Sequence, residues 1–286
     1  MKPLYVFLLL MALLPGCSKT RTIMYDDVYF EGRHVAYDQK PEIHPEFLFP
    51  DTDDPYLIEL RRHYPLDSLL EGAQSDQERV RRILNWTHQR WSHNGRQDPQ
   101  GRDAISILKE AEAGGQFPCF AYAIVLRDQL LAHGMPARTL YLKTEDAARA
   151  NYPPGHVATE VYLPDRKEWI FVDPQFNAMP TWNGQAMNAV KFRQLITEQN
   201  DLLDFESLSD LVTPGQYFGF VYPYLFYLDT ALDNRYNQPD TPAGQKTNVM
   251  LVPLNEPPLK HIRFWDMDID YCEYTHSIVD FYPMLD

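Results

Sequence analysis

A chain of 286 residues, 44% apolar, 23% charged and 13% aromatic, has the composition of a globular protein and can bury a core as one large domain or two small ones. Its 40 acidic residues against 26 basic ones give a formal charge of −14, a poor match for nucleic acid or an anionic membrane surface, so nucleic-acid binding is set aside.

The chain opens MKPLYVFLLLMALLPGC. A single early Lys2, an apolar run over 4–14 too short to cross a bilayer and a small residue before Cys17 have the form of an export signal. The end of that stretch, Leu14-Pro15-Gly16-Cys17, resembles a bacterial lipobox. The resemblance implies that 1–17 is a lipoprotein signal with Cys17 as the lipidated residue. Ser18 after it implies sorting to the outer membrane, facing the periplasm. An ordinary cleaved signal or a buried N-terminal strand is the alternative. Two further cysteines, Cys119 and Cys272, are too few for a disulfide scaffold, although a single bridge between them stays open.

Residues 18–54 mix aromatics, charges and prolines without a steady period and read as a tether followed by extended structure. Asp54-Pro55 supplies a cap and a first-turn proline for a helix that stops before Pro65. Ser75 and Glu78 have capping-box spacing, and Val80, Ile83, Leu84, Thr87 and Trp91 share one face of a helix expected to run to about Asn94-Gly95. A third helix follows Asp103 and ends at Gly114-Gly115; a fourth starts near Cys119 and stops at Gly134. The period then changes from helix to strand. ARTLYL, GHVATEVYL and EWIFVDP read as strands, the last two joined by a turn at 164–167. A helix is expected at about 189–198, and from Leu211 the text, QYFGFVYPYLFYL and HSIVDFY included, reads as β-like. The chain therefore divides into a core at 55–204 and a β-rich C-terminal region at 205–286, the latter a separate subdomain or an extension of the same sheet.

Chemistry concentrates at GGQFPCFAYA, residues 114–123. A thiol at a helix N-terminus meets unpaired N–H groups and the positive end of the macrodipole, which favour thiolate over thiol, and Pro118 suits such a start. A base and an orienting group can be placed by strand register. If 164–167 closes a hairpin, Leu163 faces Glu168 and Ala158 faces Asp173, so His156 and Asp173 share a face as diagonal neighbours about 7–8 Å apart. A carboxylate beside a histidine holds one tautomer and stabilises the imidazolium. Cys119, His156 and Asp173 thus line up as nucleophile, base and orienter.

The ordered set GGQFPCFAYAIVLRDQLLAHGMPARTLYL, GHVATEVYL and EWIFVDP resembles the transglutaminase-like superfamily, over roughly 55–200. The resemblance implies an α+β, papain-like transglutaminase core that needs no cofactor. It assigns the helix-leading Cys119, the helix exit at 134–138, His156 with the Glu160-Val161-Tyr162-Leu163 strand, and Asp173 before Pro174. The substrate it implies is a peptide, protein or small amide. Ala158, Phe120 and Pro118 stand where the family commonly has Trp, Trp and, in cross-linking members, Gln. Those departures point away from protein cross-linking more than from thiol chemistry, and hydrolysis of a peptide or amide is what the resemblance implies for many bacterial members. Gln116 becomes the side-chain candidate for the oxyanion site, beside the Cys119 amide. Two other readings are a catalytically silent peptide- or glycan-binding lipoprotein and a protein-glutamine transamidase. A zinc site at His261, Cys272 and His276 lacks a fourth ligand, and a calcium loop at 266–277 would need glycine at Tyr271 and glutamate at Ser277, so neither is expected.

Overall fold

The structure, a computed structural model, describes residues 20–236, 242 and 244–285. A hairpin of β1 (Arg21–Tyr25) and β2 (Val28–Gly32) is followed by α1 (Pro55–His63), α2 (Asp67–Leu70), α3 (Asp76–His88), α4 (Ala104–Glu112) and α5 (Cys119–Ala132). Next come β3 (Ala137–Lys143), β4 (Gly155–Leu163), β5 (Glu168–Val172), β6 (Met179–Trp182), β7 (Gln185–Ala186), α6 (Ala189–Glu198), β8 (Leu203–Ser207) and α7 (Pro214–Val221). The chain closes with β9 (Tyr227–Ala231), β10 (Asn248–Leu251), β11 (His261–Ile262), β12 (Met267–Asp268), β13 (Cys272–Thr275) and α8 (Ile278–Phe281). The α+β class expected from the sequence is what these elements form.

Six strands make the central sheet in the order β13-β10-β9-β3-β4-β5, antiparallel except for the β10–β13 pair. Three strands of the 205–286 region therefore extend the sheet that β3, β4 and β5 begin. Because side chains alternate, the sheet has two unlike faces. Ala137, Val161, Leu163, Ile170 and Val172 pack against α1, α3, α4 and α5. Leu140, Leu142, Ala158, Phe171, Leu228 and Leu251 face the opposite core, with Phe192 of α6, Tyr217 and Phe218 of α7 and Phe281 of α8.

The helix caps follow local chemistry. Asp54 accepts from the Tyr56 amide, Asp103 from Ser106 and Ser75 from Glu78. The box at Ser75 is only half formed, since Glu78 reaches the Gln74 amide, 2.9 Å away. α5 is buried almost all round, as a helix enclosed by three others and a sheet must be. Its one buried acid, Asp128, accepts from Tyr56 Oη (2.6 Å), Tyr236 Oη (2.7 Å) and Arg127 Nε (2.8 Å).

Three expectations are corrected. α3 ends at His88, six residues short of Asn94, and Trp91 packs from the following loop, 4.3 Å from the Tyr122 ring. The aromatic run read as β-like begins as a helix: Thr213 caps α7, Pro214 opens it, and Thr213 and Gln216 form a reciprocal capping box. HSIVDFY is likewise helical at α8, where Ser277 accepts from the Asp280 amide.

Arg138 and Glu160, opposite one another on β3 and β4, are fully buried. Glu160 Oε2 accepts from Arg138 Nη2 at 2.7 Å and Nε at 3.2 Å, and Arg138 Nη1 donates to the Phe281 carbonyl at 2.8 Å. The other carboxylate oxygen accepts from Tyr282 Oη (2.7 Å) and the Ala189 amide at the start of α6 (3.2 Å). Removing one partner of such a pair strands the other charge in the core. Arg138→Ala is therefore expected to lower the unfolding free energy by about 3–5 kcal/mol, read from urea unfolding; a loss under about 1 kcal/mol, the scale of an exposed pair, would contradict it.

Candidate active site

α5 begins at Cys119 because the approach to it is fixed from behind. Gly114 takes φ +97° as α4 ends, and a Cβ on Gly115 would lie 2.4 Å from the Phe117 ring and 2.9 Å from the Glu110 carbonyl. The Phe117 carbonyl accepts from the Asn94 amide (3.1 Å) and Trp91 Nε1 (3.3 Å), and Tyr122 Oη donates to the Trp91 carbonyl (2.7 Å). Pro118 stands at the N-cap and no side chain caps α5. Among the described residues the amides of Cys119 and Phe120 have no acceptor, so unpaired donors and the helix dipole converge on a partly exposed thiol.

β4 and β5 hold the other two groups. The expected register is present, with Leu163 facing Glu168 and Thr159 facing Val172. His156, the second residue of β4, and Asp173, immediately after β5, are both buried, and His156 Nε2 lies 2.7 Å from Asp173 Oδ2. With Nε2 engaged there, Nδ1 is the ring nitrogen left free for Cys119, whose side chain acts on the imidazole. Asp173 is itself held. The Gln175 amide donates to Oδ1 at 3.1 Å, and backbone hydrogen bonds in both directions tie Asp173 to Ala178.

Burial alone would push the His156 imidazolium down. Asp173, by charge and hydrogen bond, and Cys119 beyond it outweigh burial and raise the histidine to about 10. The rings of Phe220, Tyr224 and Phe176 lie 5.2, 6.0 and 6.2 Å from the imidazole and cover the pair. His93, on the loop after α3, is held below its ordinary value by partial burial and then by the His156 charge.

Of the residues singled out from the sequence, Cys119, His156 and Asp173 come together. Gln116 is exposed and makes no hydrogen bond among the described residues. Cys17 lies outside the described residues. Cys119 and Cys272 are both free thiols, and burial, with Asp229 beside it, pushes Cys272 well up. Among the described residues no group of three or more His, Cys, Asp or Glu could hold a metal ion. The sequence reading missed Tyr217, buried on α7, whose hydroxyl donates to Asp173 Oδ2 at 3.1 Å. The Thr213-Pro214-Gln216 box was the available signal, because it starts a helix and puts Tyr217 in its first turn.

Residues 66–174, which span all three groups, match the model of the transglutaminase-like superfamily. No curated protein matches the chain. Among solved structures, a candidate cysteine protease from Cytophaga hutchinsonii is 15% identical with a TM-score of 0.34 over 55% of this chain, which spans 62% of that one. Calcium-bound LapG of Legionella pneumophila is 12% identical with a TM-score of 0.32 over 60% of this chain and 98% of its own.

The imidazolium's contribution to stability has a definite pH window. A histidine raised in the fold stabilises it fully below about 6.5, the unfolded value, and that contribution is lost as pH climbs through about 10. Asp173→Asn removes the main raising influence, so burial prevails. The ring is then expected to be neutral at pH 7.5 by NMR, and the decline in unfolding free energy between pH 6.5 and 10 to flatten. A His156 that still titrates near 10 in that variant would show that Asp173 does not hold the charge.

Proposed function

We propose, from the premise that residues 66–174 are a transglutaminase-like domain, that the protein is a cysteine acyl-transfer enzyme hydrolysing a peptide or amide bond. One observation carries the reading: a single buried imidazole, bonded through Nε2 to Asp173, lies close enough to the helix-leading Cys119 to be raised by it. With the thiol proton held on His156, the Cys119 thiolate attacks the substrate carbonyl carbon, and the electron pair displaced onto oxygen settles against the unpaired Cys119 amide. Gln116 is proposed as a second donor to that oxyanion. As the C–N bond breaks, the His156 imidazolium gives its proton to the leaving amine, leaving a thioester and a neutral ring. His156 then takes a proton from water, the hydroxide oxygen bonds to the acyl carbon, and the thiolate departs. Asp173 orients the ring and stays ionised throughout. An amine in place of water would give transamidation. We also propose that Cys17 is lipidated and anchors the protein at the outer membrane, facing the periplasm.

Incubation with peptide and amine libraries, followed by intact-mass measurement, is expected to capture an acyl adduct on Cys119 that Cys119→Ala lacks. His156→Ala should lose about 10²–10⁴-fold in turnover, the usual contribution of a general base, and should slow alkylation of Cys119 by iodoacetamide at pH 7. Equal alkylation rates in wild type and His156→Ala, with no acyl adduct from any peptide, would sink the enzyme reading. Products carrying water rather than amine separate hydrolysis from transamidation. Cys17→Ser is expected to move the protein from the membrane to the soluble fraction on cell fractionation; unchanged membrane retention would refute the anchor.

A further inference from the structure

On the far side of one turn from the catalytic histidine lies a cavity of about 370 Å³. Residues Tyr222–Tyr224 form that turn: Tyr222 and Pro223 line the cavity, while the Tyr224 ring is 6.0 Å from that of His156. The neighbouring wall is equally close in the fold, since the Thr144 amide donates to the carbonyl of Pro154, two residues before His156.

Arg193, from α6, lines this cavity and is 4% exposed. Its guanidinium lies 4.6 Å from the Tyr222 ring centroid and 5.8 Å from that of Phe226. Nη1 donates to the Arg33 carbonyl at 2.9 Å, whereas Nε is buried without a partner. Among the described residues no carboxylate pairs with Arg193, in contrast to the buried Arg138, which has Glu160, and Arg127, which has Asp128. Arg149, exposed on the same cavity, also lacks an acidic partner among them. The acids present are otherwise engaged or peripheral. Glu145 and Glu256 pair with Arg33, Asp146 accepts from the Thr144 and Tyr152 hydroxyls, and the exposed Glu31 accepts from Thr22. A nearly buried guanidinium with no counter-charge, at the wall of a cavity, is suited to attract a carboxylate by charge.

We infer that this cavity is a carboxylate subsite: Arg193, with Arg149 at the mouth, receives an acidic group of a peptide substrate whose reacting amide lies across the turn at Cys119. The placement of the amide rests on the acyl-transfer reading above; the preference for an acid does not.

The test is calorimetric titration of the full chain carrying Cys119→Ala, which binds without turnover, with acetyl-alanyl-glutamate and with the uncharged acetyl-alanyl-glutaminamide. The acid is expected to bind at least about tenfold more tightly. Adding Arg149→Ala or Arg193→Gln should each weaken the acid by about tenfold and leave the amide unchanged. Equal affinities for the two peptides, no binding of the acid, or acid binding indifferent to Arg149→Ala would overturn the inference. Arg149 is exposed, so its variant keeps the test decisive even if Arg193→Gln unfolds. The two readings fail separately. A thiol that His156→Ala leaves unaffected removes the enzyme but not the acid preference, and a lost acid preference leaves the alkylation result standing.

Discussion

An ion pair with no access to water sets the frame on which the rest is hung. Arg138 and Glu160 face each other across β3 and β4, and their remaining valences are filled by the Phe281 carbonyl, the Tyr282 hydroxyl and the first amide of α6. A pair this deep is not a large net source of stability, because desolvation opposes the attraction. Its effect is on register. Glu160 shares its face with His156, and a slip of one residue in β4 would turn both toward the helices α1, α3, α4 and α5. The residues packed there are apolar, Val80, Leu84 and Leu126 among them. The β3–β4 pairing that satisfies the ion pair keeps His156 on the Glu160 face, and the β4–β5 pairing then brings it to Asp173.

The same pair explains how a C-terminal segment far from the thiol bears on the site. α8 and the residues after it lie over Arg138, with the Phe281 and Trp169 rings 4.5 and 4.3 Å from its guanidinium. Trp169 Nε1 adds a hydrogen bond to the Pro283 carbonyl at 2.8 Å. The C-terminal strands do comparable work at the other edge of β3, where a buried Lys143–Asp229 pair joins β3 to β9. β3, the strand beside the one that carries the histidine, is therefore held on both sides by buried charge pairs.

Much of this was legible in the sequence because it obeys short-range rules. The β4–β5 hairpin announces itself by period-two apolar residues around a polar turn, and two turn lengths give one register, so the His156–Asp173 proximity follows from counting. α5 is legible from Gly114-Gly115, Pro118 and Gly134. What was not legible depends on competition between signals. Residues 216–222 are rich in Tyr, Phe and Val, which favour strands, but the cap at Thr213, the first-turn Pro214 and the Gln216 side chain commit the chain to α7 before those propensities apply. Missing that helix meant missing Tyr217. α3 failed in the opposite sense: Trp91 fits its apolar stripe but leaves the helix, because Trp91 Nε1 and the Asn94 amide both bond the Phe117 carbonyl.

The site lies on the seam between the two cores. Cys119 belongs to the helical side, whose α5 is gripped by α1, α3 and α4, whereas His156, Asp173 and Tyr217 belong to the side covered by α6 and α7. The histidine–aspartate contact is internal to one hairpin and survives any motion of the hairpin as a unit. The placement of the thiol near the imidazole instead depends on how α5 sits on β4, an alignment set by close packing and by the Thr159 hydroxyl, which donates to the Ala123 carbonyl at 3.3 Å one turn beyond Cys119. Damage to the helical core should therefore separate Cys119 from His156 while leaving His156 and Asp173 paired. Damage to the opposite core should loosen Asp173 first, through Tyr217. Each half of the fold guards a different neighbour of His156, and the loop from Trp91 to Asn94 helps fasten the thiol's half in place.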